Sequence, residues 1–370
     1  MSQSQSQSIL KVGIIGQGRS GRDIHGRALT QFPEHFQIAA VADSIPERQR
    51  LAEQEFGCRA YATWQEMVAS ETLDLVVNAS PSHLHVPISL ELLNRGFNVL
   101  CEKPLARTSA EVDQLIEASE RNGKLLAVFQ QSRFLPAYVR IREIIESGVL
   151  GRIVQLDFTS NRFARRWDWQ TLQRNNGGSL LNLGSHVLDQ ALQLFGNDVM
   201  PGVTCLMDRA NTYGDAEDYV KIILQGEGRP TVDIEVSSCS LFPGDMFVIQ
   251  GTNGGLRGNN ERLEWKYFKP EEAPVQQLTT EPLVDQNGLP AYCRETLNWY
   301  SDSWELSLPN GKEDYPYMAE QLYGRLHKSI VEGTPLEITP HQVRQQLAVI
   351  EECRRQNPHI YEQNGEPVRG

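Results

Sequence analysis

Three glycines follow the first apolar run of the chain. Leu10 to Ile15 is short and apolar, and the next six residues read Gly16-Gln17-Gly18-Arg19-Ser20-Gly21. This spacing is typical of a strand-to-helix turn that binds the pyrophosphate of a dinucleotide at the helix N-terminus. The first glycine permits the tight turn, the second lets the backbone approach the phosphates, and the third lets helix and strand pack closely. The six residues are therefore predicted cofactor contacts in a βαβ unit.

Asp43 supports this interpretation, because it ends the second apolar run, 22 residues after Gly21. A carboxylate there can bind both hydroxyls of the adenosine ribose and would repel a 2′-phosphate. Ser44 follows it, although Arg48 lies about one helical turn later and could reach a phosphate. We predict NAD as the cofactor, with NADP as the less favoured alternative.

Apolar runs alternate with helical segments over the first third of the chain. The predicted strands cover residues 10–15, 36–42, 73–79, 97–101 and 125–129, and the predicted helices cover 46–56, 83–95 and 109–122. Ser109 is placed to cap the third of these helices. Strands separated by helices indicate an α/β fold with a parallel sheet. We therefore predict a Rossmann dinucleotide-binding domain over residues 9–130.

The rest of the chain has a different pattern. Single apolar residues alternate with polar ones, which is typical of an open sheet with one solvated face. The predicted strands cover residues 152–159, 219–224, 232–236 and 246–250, and the predicted helices cover 136–147, 179–195, 318–333 and 340–356. We predict an α+β domain over residues 131–370, with a large, mostly antiparallel sheet that binds substrate and joins subunits. Residues 270–316 are expected to form an irregular surface excursion, and residues 1–8 a disordered lead-in.

Composition excludes several functional classes. The net charge of −12 argues against nucleic acid and against anionic lipid as partners. No apolar run approaches the roughly 20 residues that a spanning helix needs, and the Ser/Gln-rich start lacks the features of a secretory signal. The six cysteines form no C-x-x-C pair, so we predict no metal site and reduced thiols, in a cytoplasmic protein.

Candidate chemistry lies where the predicted parallel strands end, because ligands bind outside the carboxyl ends of such strands. Three segments project there, namely residues 80–85, 102–104 and 130–133. Lys103 is the first candidate, since a lysine in a dry cleft beside a positive nicotinamide has a lowered pKa and can accept a hydroxyl proton. The alternative is a structural or surface lysine.

The predicted helix over residues 179–195 supplies further polar groups. Ser179 is placed to cap it, and Asn182 and His186, four residues apart, are expected on one face. Gly184 between them suggests close approach to a ligand or to the other domain. His186 is a candidate proton relay. Asp189 either orients His186 or makes a packing contact.

Together these motifs resemble the Gfo/Idh/MocA oxidoreductases, relatives of glucose–fructose oxidoreductase and inositol dehydrogenase. The resemblance spans residues 11 to about 355. It rests on the glycine loop, on Ser80-Pro81 with His83 and His85, on Glu102-Lys103-Pro104, and on the Gly-Gly-x-x-x-Asn-x-Gly-x-His helix. It implies a catalytic Lys103 and His186, cofactor contacts near Ser80, Pro81 and Glu102, and association as a homodimer or homotetramer. We add His83, His85, Lys103 and Gln131 to the predicted cofactor contacts.

One departure from the family pattern and a set of candidate substrate contacts complete the predicted site. Members of the family often carry Asp where this chain has Asn182, and an amide can hold a substrate hydroxyl but cannot act as a base. Proton transfer is then left to Lys103 and His186. Arg133, Trp167 and Trp169 are further candidates for substrate contacts, since aromatic faces and guanidinium groups suit hydroxylated ligands.

These observations predict an NAD-dependent dehydrogenase that oxidises a secondary hydroxyl of a sugar, a cyclic polyol or a glycoside. Lys103, Asn182 and His186 are its predicted catalytic residues. One alternative is a redox-neutral hydrolase or lyase that uses tightly held NAD to cleave a glycoside. A second alternative is a non-catalytic ligand sensor of the same fold.

Overall fold

The computed structural model of the protein describes residues 9–308 and 313–361. Within these ranges two β-sheets form, with helices packed against both. The predicted lead-in over residues 1–8 lies outside the described residues. Among the described helices, none combines the length and apolar character needed to cross a bilayer.

The first sheet has six parallel strands in the order β3-β2-β1-β4-β5-β6. The strands are β1 (Leu10–Ile15), β2 (Phe36–Ala42), β3 (Arg59–Tyr61), β4 (Leu75–Asn78), β5 (Asn98–Cys101) and β6 (Leu126–Val128). All four residues of β4 are buried, which explains the continuous apolar runs, since helices cover both faces of such a sheet. The strand order changes direction between β1 and β4, and ligands bind at that point in sheets of this kind.

Helices alternate with these strands as predicted, and the parallel α/β arrangement is confirmed. A π-helical stretch, Arg19–Gly26, follows β1 and continues into α1 (Arg27–Leu29). The other helices of this part are α2 (Pro46–Phe56), α3 (Trp64–Ser70), α4 (His85–Asn94) and α5 (Ser109–Asn122). Sequence patterns missed β3 and α3, because β3 has only three residues and none of them is buried.

The second sheet has eight strands in the order β14-β13-β12-β11-β7-β10-β9-β8. They are β7 (Ile153–Asn161), β8 (Gly202–Asp208), β9 (Tyr219–Gln225), β10 (Thr231–Ser237), β11 (Phe247–Gly251), β12 (Gly254–Gly258), β13 (Arg262–Phe268) and β14 (Trp299–Glu305). Neighbouring strands are antiparallel, except that β7 and β10 are parallel. This confirms the predicted large, mostly antiparallel sheet.

The predicted irregular excursion over residues 270–316 is wrong in two places. Trp299–Glu305 forms β14 at one edge of the second sheet, and the helix after it begins at Asp314. None of the side chains of β14 is buried, so this strand lacks the apolar alternation that would have predicted it.

Five further helices lie in the described residues, and α9 contacts strands of both sheets. They are α6 (Pro136–Glu146), α7 (Ser185–Phe195) after a π-helical turn at Leu180–Gly184, α8 (Asp314–Glu332), α9 (Pro340–Arg355) and α10 (Pro358–Tyr361). α7 packs on β7 and β10, whereas α9 packs on α5 and β6 as well as on α7 and β8. Arg344 of α9 pairs with Asp113 of α5 at 2.9 Å. The buried apolar residues therefore form one continuous core.

Candidate active site

The glycine loop leaves a cradle at the end of β1. Gly16 has a φ of +86°, and a Cβ there would lie 2.5 Å from the Ala79 carbonyl oxygen. A Cβ on Gly21 would lie 1.7 Å from the Gly16 carbonyl oxygen. A Cβ on Gly18 would instead meet only a guanidinium nitrogen of Arg48, at 3.9 Å. Two glycines are therefore required by the turn itself, and the third keeps one side of the loop open.

The groups around this cradle fit a dinucleotide. Gly18 is the N-cap of the π-helical stretch, and no side chain caps that end. An uncapped helix N-terminus favours an anion such as a pyrophosphate. Gln17 and Gln131 each carry a buried Oε1 atom that has no hydrogen-bond partner within the described part of the chain. A bound ligand would supply the donors that these two oxygens lack.

Asp43 lies at the end of β2, beside the same loop. Its carboxylate accepts hydrogen bonds from the backbone N–H groups of Gln17, at 2.7 Å, and Ile45, at 2.9 Å. These two bonds hold the carboxylate in the position predicted for a ribose contact. Arg48 is also there, with Nη1 at 3.4 Å from Asp43 Oδ2. The structure therefore places both the anion that favours NAD and the cation that could accept a 2′-phosphate at this point.

Lys103 follows β5 and reaches the π-helical turn at Leu180–Gly184. Its Nζ donates a hydrogen bond to the Asn182 carbonyl oxygen at 2.8 Å and lies 3.5 Å from Asn182 Oδ1. Burial lowers the pKa of Lys103; the carboxylate of Glu102 opposes this effect, and the positive charge of Arg19 adds to it. A lysine with a lowered pKa is a more available proton acceptor at neutral pH.

His186 completes this group of polar side chains. Its Nδ1 lies 3.0 Å from Ser132 Oγ. Burial lowers the pKa of His186 to about 3, with the charge of Lys103 adding to the effect, so the ring is neutral at pH 7. Asn182 lies inside the π-helical turn and His186 in the first turn of α7. π-Helical turns within helices are frequent at functional sites.

The structure corrects the predicted role of His85. This side chain is 1% exposed, and its two ring nitrogens lie 2.7 Å from the Pro104 carbonyl oxygen and 2.9 Å from the Ser80 carbonyl oxygen. His85 therefore joins the loop of Ser80 to the loop of Lys103 and does not face a ligand. His83, two residues earlier, is exposed, and Pro81 begins the short 3₁₀ turn that contains it.

Arg133 and Asp189 are also placed differently from the prediction. Both are buried, and the guanidinium of Arg133 binds both carboxylate oxygens of Asp189 at 2.7 Å. The remaining nitrogen, Nη1, donates to Gln342 Oε1 at 2.6 Å. Arg133 is thus buried with protein acceptors on all three of its nitrogens and does not face a substrate, and Asp189 makes a packing contact instead of orienting His186. A short-range spacing could not reveal this pair, because its members are 56 residues apart.

The start of the helical segment departs from prediction as well. Ser179 makes no side-chain cap, and the buried carboxylate of Glu217 accepts the Leu180 N–H at 2.8 Å instead. Tyr361 also donates its hydroxyl to Glu217. A Cβ on Gly184 would touch Leu180 and Val236, so this glycine serves packing on β10, with no sign of a ligand contact.

The predicted substrate loop is largely solvent-exposed. Trp167 is 78% exposed and Trp169 50% exposed. Arg166 pairs with Asp168 at 2.8 Å, which neutralises its charge. A cleft of about 20 Å³ beside Asn182, lined in part by Arg162 and Thr212, has room for about one water molecule. A sugar-sized substrate would have to widen this cleft.

Comparisons with known proteins agree with this geometry. A family model described as "Oxidoreductase family, NAD-binding Rossmann fold" matches residues 10–130, and a "GFO/IDH/MocA C-terminal domain" model matches residues 138–257. The chain belongs to the Gfo/Idh/MocA oxidoreductase family. It is therefore an NAD-binding oxidoreductase of that family, and the resemblance predicted from its motifs is confirmed.

Individual relatives of this family cover most of the chain. An uncharacterized oxidoreductase of Schizosaccharomyces pombe is 28% identical over 90% of this chain and 93% of its own length. The scyllo-inositol 2-dehydrogenase (NADP(+)) IolW of Bacillus subtilis is 25% identical over 92% of each chain. The WlbA dehydrogenase of Bordetella pertussis, solved in complex with NADH and UDP-GlcNAcA, superposes with a TM-score of 0.74 at 21% identity, over 96% of this chain and 97% of its own. This last similarity shows the shared fold.

Sequence reasoning missed three residues that contact the predicted site. Ser132 lies against His186, and His25 and Tyr323 lie behind Glu102. Ser132 stood inside a segment that had been singled out, so its position at a strand end was a usable signal. No local pattern connects residue 25 with residue 323.

Proposed function

We propose that this protein is an NAD-dependent dehydrogenase that oxidises a secondary hydroxyl of a sugar or a cyclic polyol. The observation that carries the proposal is the contact of Lys103 Nζ with Asn182, where Lys103 is also within electrostatic reach of a neutral His186 and of Arg19 in the glycine loop. Relatives named as inositol 2-dehydrogenase and D-glucoside 3-dehydrogenase support this class of substrate.

In this proposal the chain's own residues orient the substrate and move the proton. Lys103, as the neutral amine, accepts the hydroxyl proton at Nζ while the carbon that carries the hydroxyl becomes a carbonyl carbon. The amide of Asn182 holds the substrate oxygen by a hydrogen bond, and His186 stays neutral and fixes its orientation. NAD⁺, when bound, supplies the hydride acceptor for this oxidation. Lys103 then releases the proton to solvent.

The division of work between Lys103 and His186 follows from their surroundings. An imidazole with a pKa of about 3 is a weak base, because so low a pKa gives little driving force for proton uptake at pH 7. Burial also lowers the pKa of Lys103, which starts from a much higher ordinary value and so moves toward the working pH. We therefore assign proton uptake to Lys103.

The test is NADH formation, followed by absorbance, with purified protein, NAD⁺ and a panel of inositols, aldoses, sugar acids and aryl glycosides. A substrate-dependent rise that is lost in Lys103→Ala supports the proposal. Sugar acids belong in the panel because Arg162 lines the cleft beside Asn182. A flat trace with every compound, under conditions where the protein binds NAD⁺, would contradict it.

A second candidate function is redox-neutral cleavage of a glycoside, with the hydride returned within one turnover. The exposed Trp167 and Trp169 favour it, since aromatic faces beside a cleft suit the ring and aglycone of a glycoside. A relative named 2,7-anhydro-N-acetylneuraminate hydratase is 24% identical over 66% of this chain. Product release from an aryl glycoside without net NADH would favour this candidate.

A further inference from the structure

A chain of buried polar side chains lies behind Lys103. The hydroxyl oxygen of Tyr323, on α8, lies 2.7 Å from Nδ1 of His25. Nε2 of His25 lies 3.3 Å from Oε1 of Glu102, and Oε2 of Glu102 accepts the backbone N–H of Lys103 at 3.0 Å. Tyr323 and His25 are fully buried and Glu102 is 6% exposed. These contacts connect α8, the π-helical stretch and the turn that carries Lys103.

The surroundings of this chain determine where its protons lie. Burial raises the pKa of Tyr323 well above its ordinary value, so its hydroxyl keeps a proton that can be donated to Nδ1 of His25, 2.7 Å away. A ring that accepts at Nδ1 carries its proton on Nε2, the atom that lies 3.3 Å from Glu102 Oε1. The Phe129 ring packs edge-on against His25 at 4.4 Å and walls off this side. In this tautomer the N–H group lies beside the Glu102 carboxylate, at contact distance but outside hydrogen-bond geometry.

We propose that Tyr323 and His25 are positioning residues for Lys103, which they influence by keeping Glu102 in its anionic form. This proposal rests on the proposed role of Lys103 as proton acceptor. Within this chain of contacts, the Glu102 anion raises the pKa of Lys103, because it opposes the loss of a proton from the partly buried ammonium group. The contacts of Tyr323 and His25 with Glu102 thus influence the pKa at which Lys103 loses its proton.

Other titratable and charged groups face Glu102 and Lys103. Glu102 is faced by His25, by His85 of α4, by Lys103, and by Tyr315 and Tyr323 of α8. Burial would raise the pKa of Glu102, but His25, Lys103 and His85 outweigh it, so the pKa is lowered. Lys103 is faced by Glu102, Arg19 and His186.

The sign of the expected effect follows from charge. Tyr323→Phe removes the donor to Nδ1 of His25 and keeps the ring. His25 is then free to exchange tautomers, which turns a lone pair toward Glu102 and favours protonation of that carboxylate. This change removes the negative charge beside Lys103, so it lowers the pKa of Lys103. Glu102→Gln removes the anion directly and must act in the same direction.

The experiment is a pH titration of the Lys103 side chain in the cofactor-free protein, followed by NMR of ¹³Cε-labelled lysine. The Lys103 signal is the one that disappears in Lys103→Arg. We expect the titration midpoint to fall by about 0.5–2 pH units in both Tyr323→Phe and Glu102→Gln. Adding Tyr323→Phe to Glu102→Gln should move it no further, because the effect passes through the carboxylate.

Tyr138→Phe is the matched control. Tyr138 is as fully buried as Tyr323, but its hydroxyl donates to the Gln190 carbonyl oxygen, away from Glu102, so the midpoint should stay at the wild-type value. If Tyr323→Phe does not fold, His25→Leu carries the same expectation, since it removes the N–H that faces Glu102. A midpoint that is unchanged in the folded variant, or that falls equally in the Glu102→Gln background, would overturn the proposal.

The same titration separates the positioning role of Tyr323 and His25 from the proposed dehydrogenase activity. A shifted midpoint without turnover of any compound in the panel would support the positioning role and contradict the dehydrogenase activity. Turnover with an unshifted midpoint would support the dehydrogenase activity and contradict the positioning role. In an active enzyme, the pKa on the acid side of the kcat/KM profile, where activity rises with pH, should follow the NMR midpoint in each variant.

Discussion

At the scale of single residues, Lys103 is the side chain on which the proposed chemistry depends most. We expect Lys103→Ala to lower kcat by about 10²–10⁴-fold, the usual contribution of a positioned acid or base. NAD⁺ should still bind, because the cradle is made by the glycine loop. Turnover and cofactor binding by fluorescence test this, with the exposed Lys328→Ala as the matched control. Turnover close to wild type would remove Lys103 from the mechanism.

A negative charge placed at residue 182 should move the pH optimum of the enzyme upward. Its Oδ1 lies 3.5 Å from Lys103 Nζ, so Asn182→Asp places a carboxylate there. A neighbouring anion raises the pKa of a lysine, typically by about 1–3 units, and fewer molecules then carry the neutral amine at pH 7. We expect lower activity at pH 7 and an optimum at higher pH. Asn182→Ala, which adds no charge, should lower activity without moving the optimum in this direction.

Asp43 and Arg48 predict how the cofactor preference can be changed. Asp43→Ser removes the anion that would repel a 2′-phosphate and leaves Arg48, whose Nη1 is 3.4 Å away, without its partner. The ratio of kcat/KM with NAD to kcat/KM with NADP should fall at least about tenfold, a change of about 1.4 kcal/mol. Arg48→Ala in the same background should restore part of the ratio. An NADP preference in the wild-type protein would defeat the assignment of NAD.

At the scale of elements, the capping of α5 shows how local geometry determines a helix end. The sequence suggested Ser109 as the cap, but the cap is Thr108, whose hydroxyl accepts the Glu111 N–H while the Glu111 carboxylate accepts the Thr108 N–H. We expect Thr108→Ala to lower the free energy of unfolding by about 1 kcal/mol. Ser109→Ala, one residue on, should have little effect. Urea unfolding measures both, and equal losses would contradict the assignment.

Elements with strong local signals could be predicted, and the others could not. The buried strands β1, β2 and β4 are continuous apolar runs, and the glycine loop carries its own backbone requirement, so both were predictable. β12 begins with two glycines, and β14 buries no side chain, so neither offers a period-2 pattern. Their place in the sheet comes from pairing with neighbours.

The candidate site also contains residues that the sequence could predict and contacts that it could not. Lys103 and His186 were predictable because each stands next to a recognisable turn or glycine pattern. The buried contacts around these two residues were not predictable, because they join residues far apart in sequence. Arg133 binds Asp189, and Tyr323 binds His25. The π-helical turn at Leu180–Gly184 also has no signature that a regular i, i+4 spacing would show.

At the scale of the whole molecule, the partly buried His186 couples the site to stability. Its pKa of about 3 in the folded protein lies below its ordinary value of 6.5, so the unfolded chain binds more protons between pH 3 and 6.5. The free energy of unfolding must therefore fall as the pH drops through this window. From pH 7 to pH 5, His186 alone should contribute a loss of about 2 kcal/mol.

Urea unfolding of wild type and His186→Gln at the two pH values measures this contribution. The glutamine variant should lose less stability between pH 7 and pH 5 than the wild type does. His83→Gln is the control, because His83 is exposed. Parallel losses in wild type and His186→Gln would show that this ring does not become protonated on unfolding.

The packing of α9 against α5 and β6 has a consequence for the order in which the protein is made. β6 ends at residue 128 and α9 begins at residue 340, so the ribosome adds about 210 residues between them. At about 5–20 residues per second, this takes about 10–40 s. Throughout that interval the surface that α9 will cover stays open to water and to chaperones. During translation, the parallel sheet of the nascent chain is thus complete well before α9, the helix that packs against its last strand, has been synthesised.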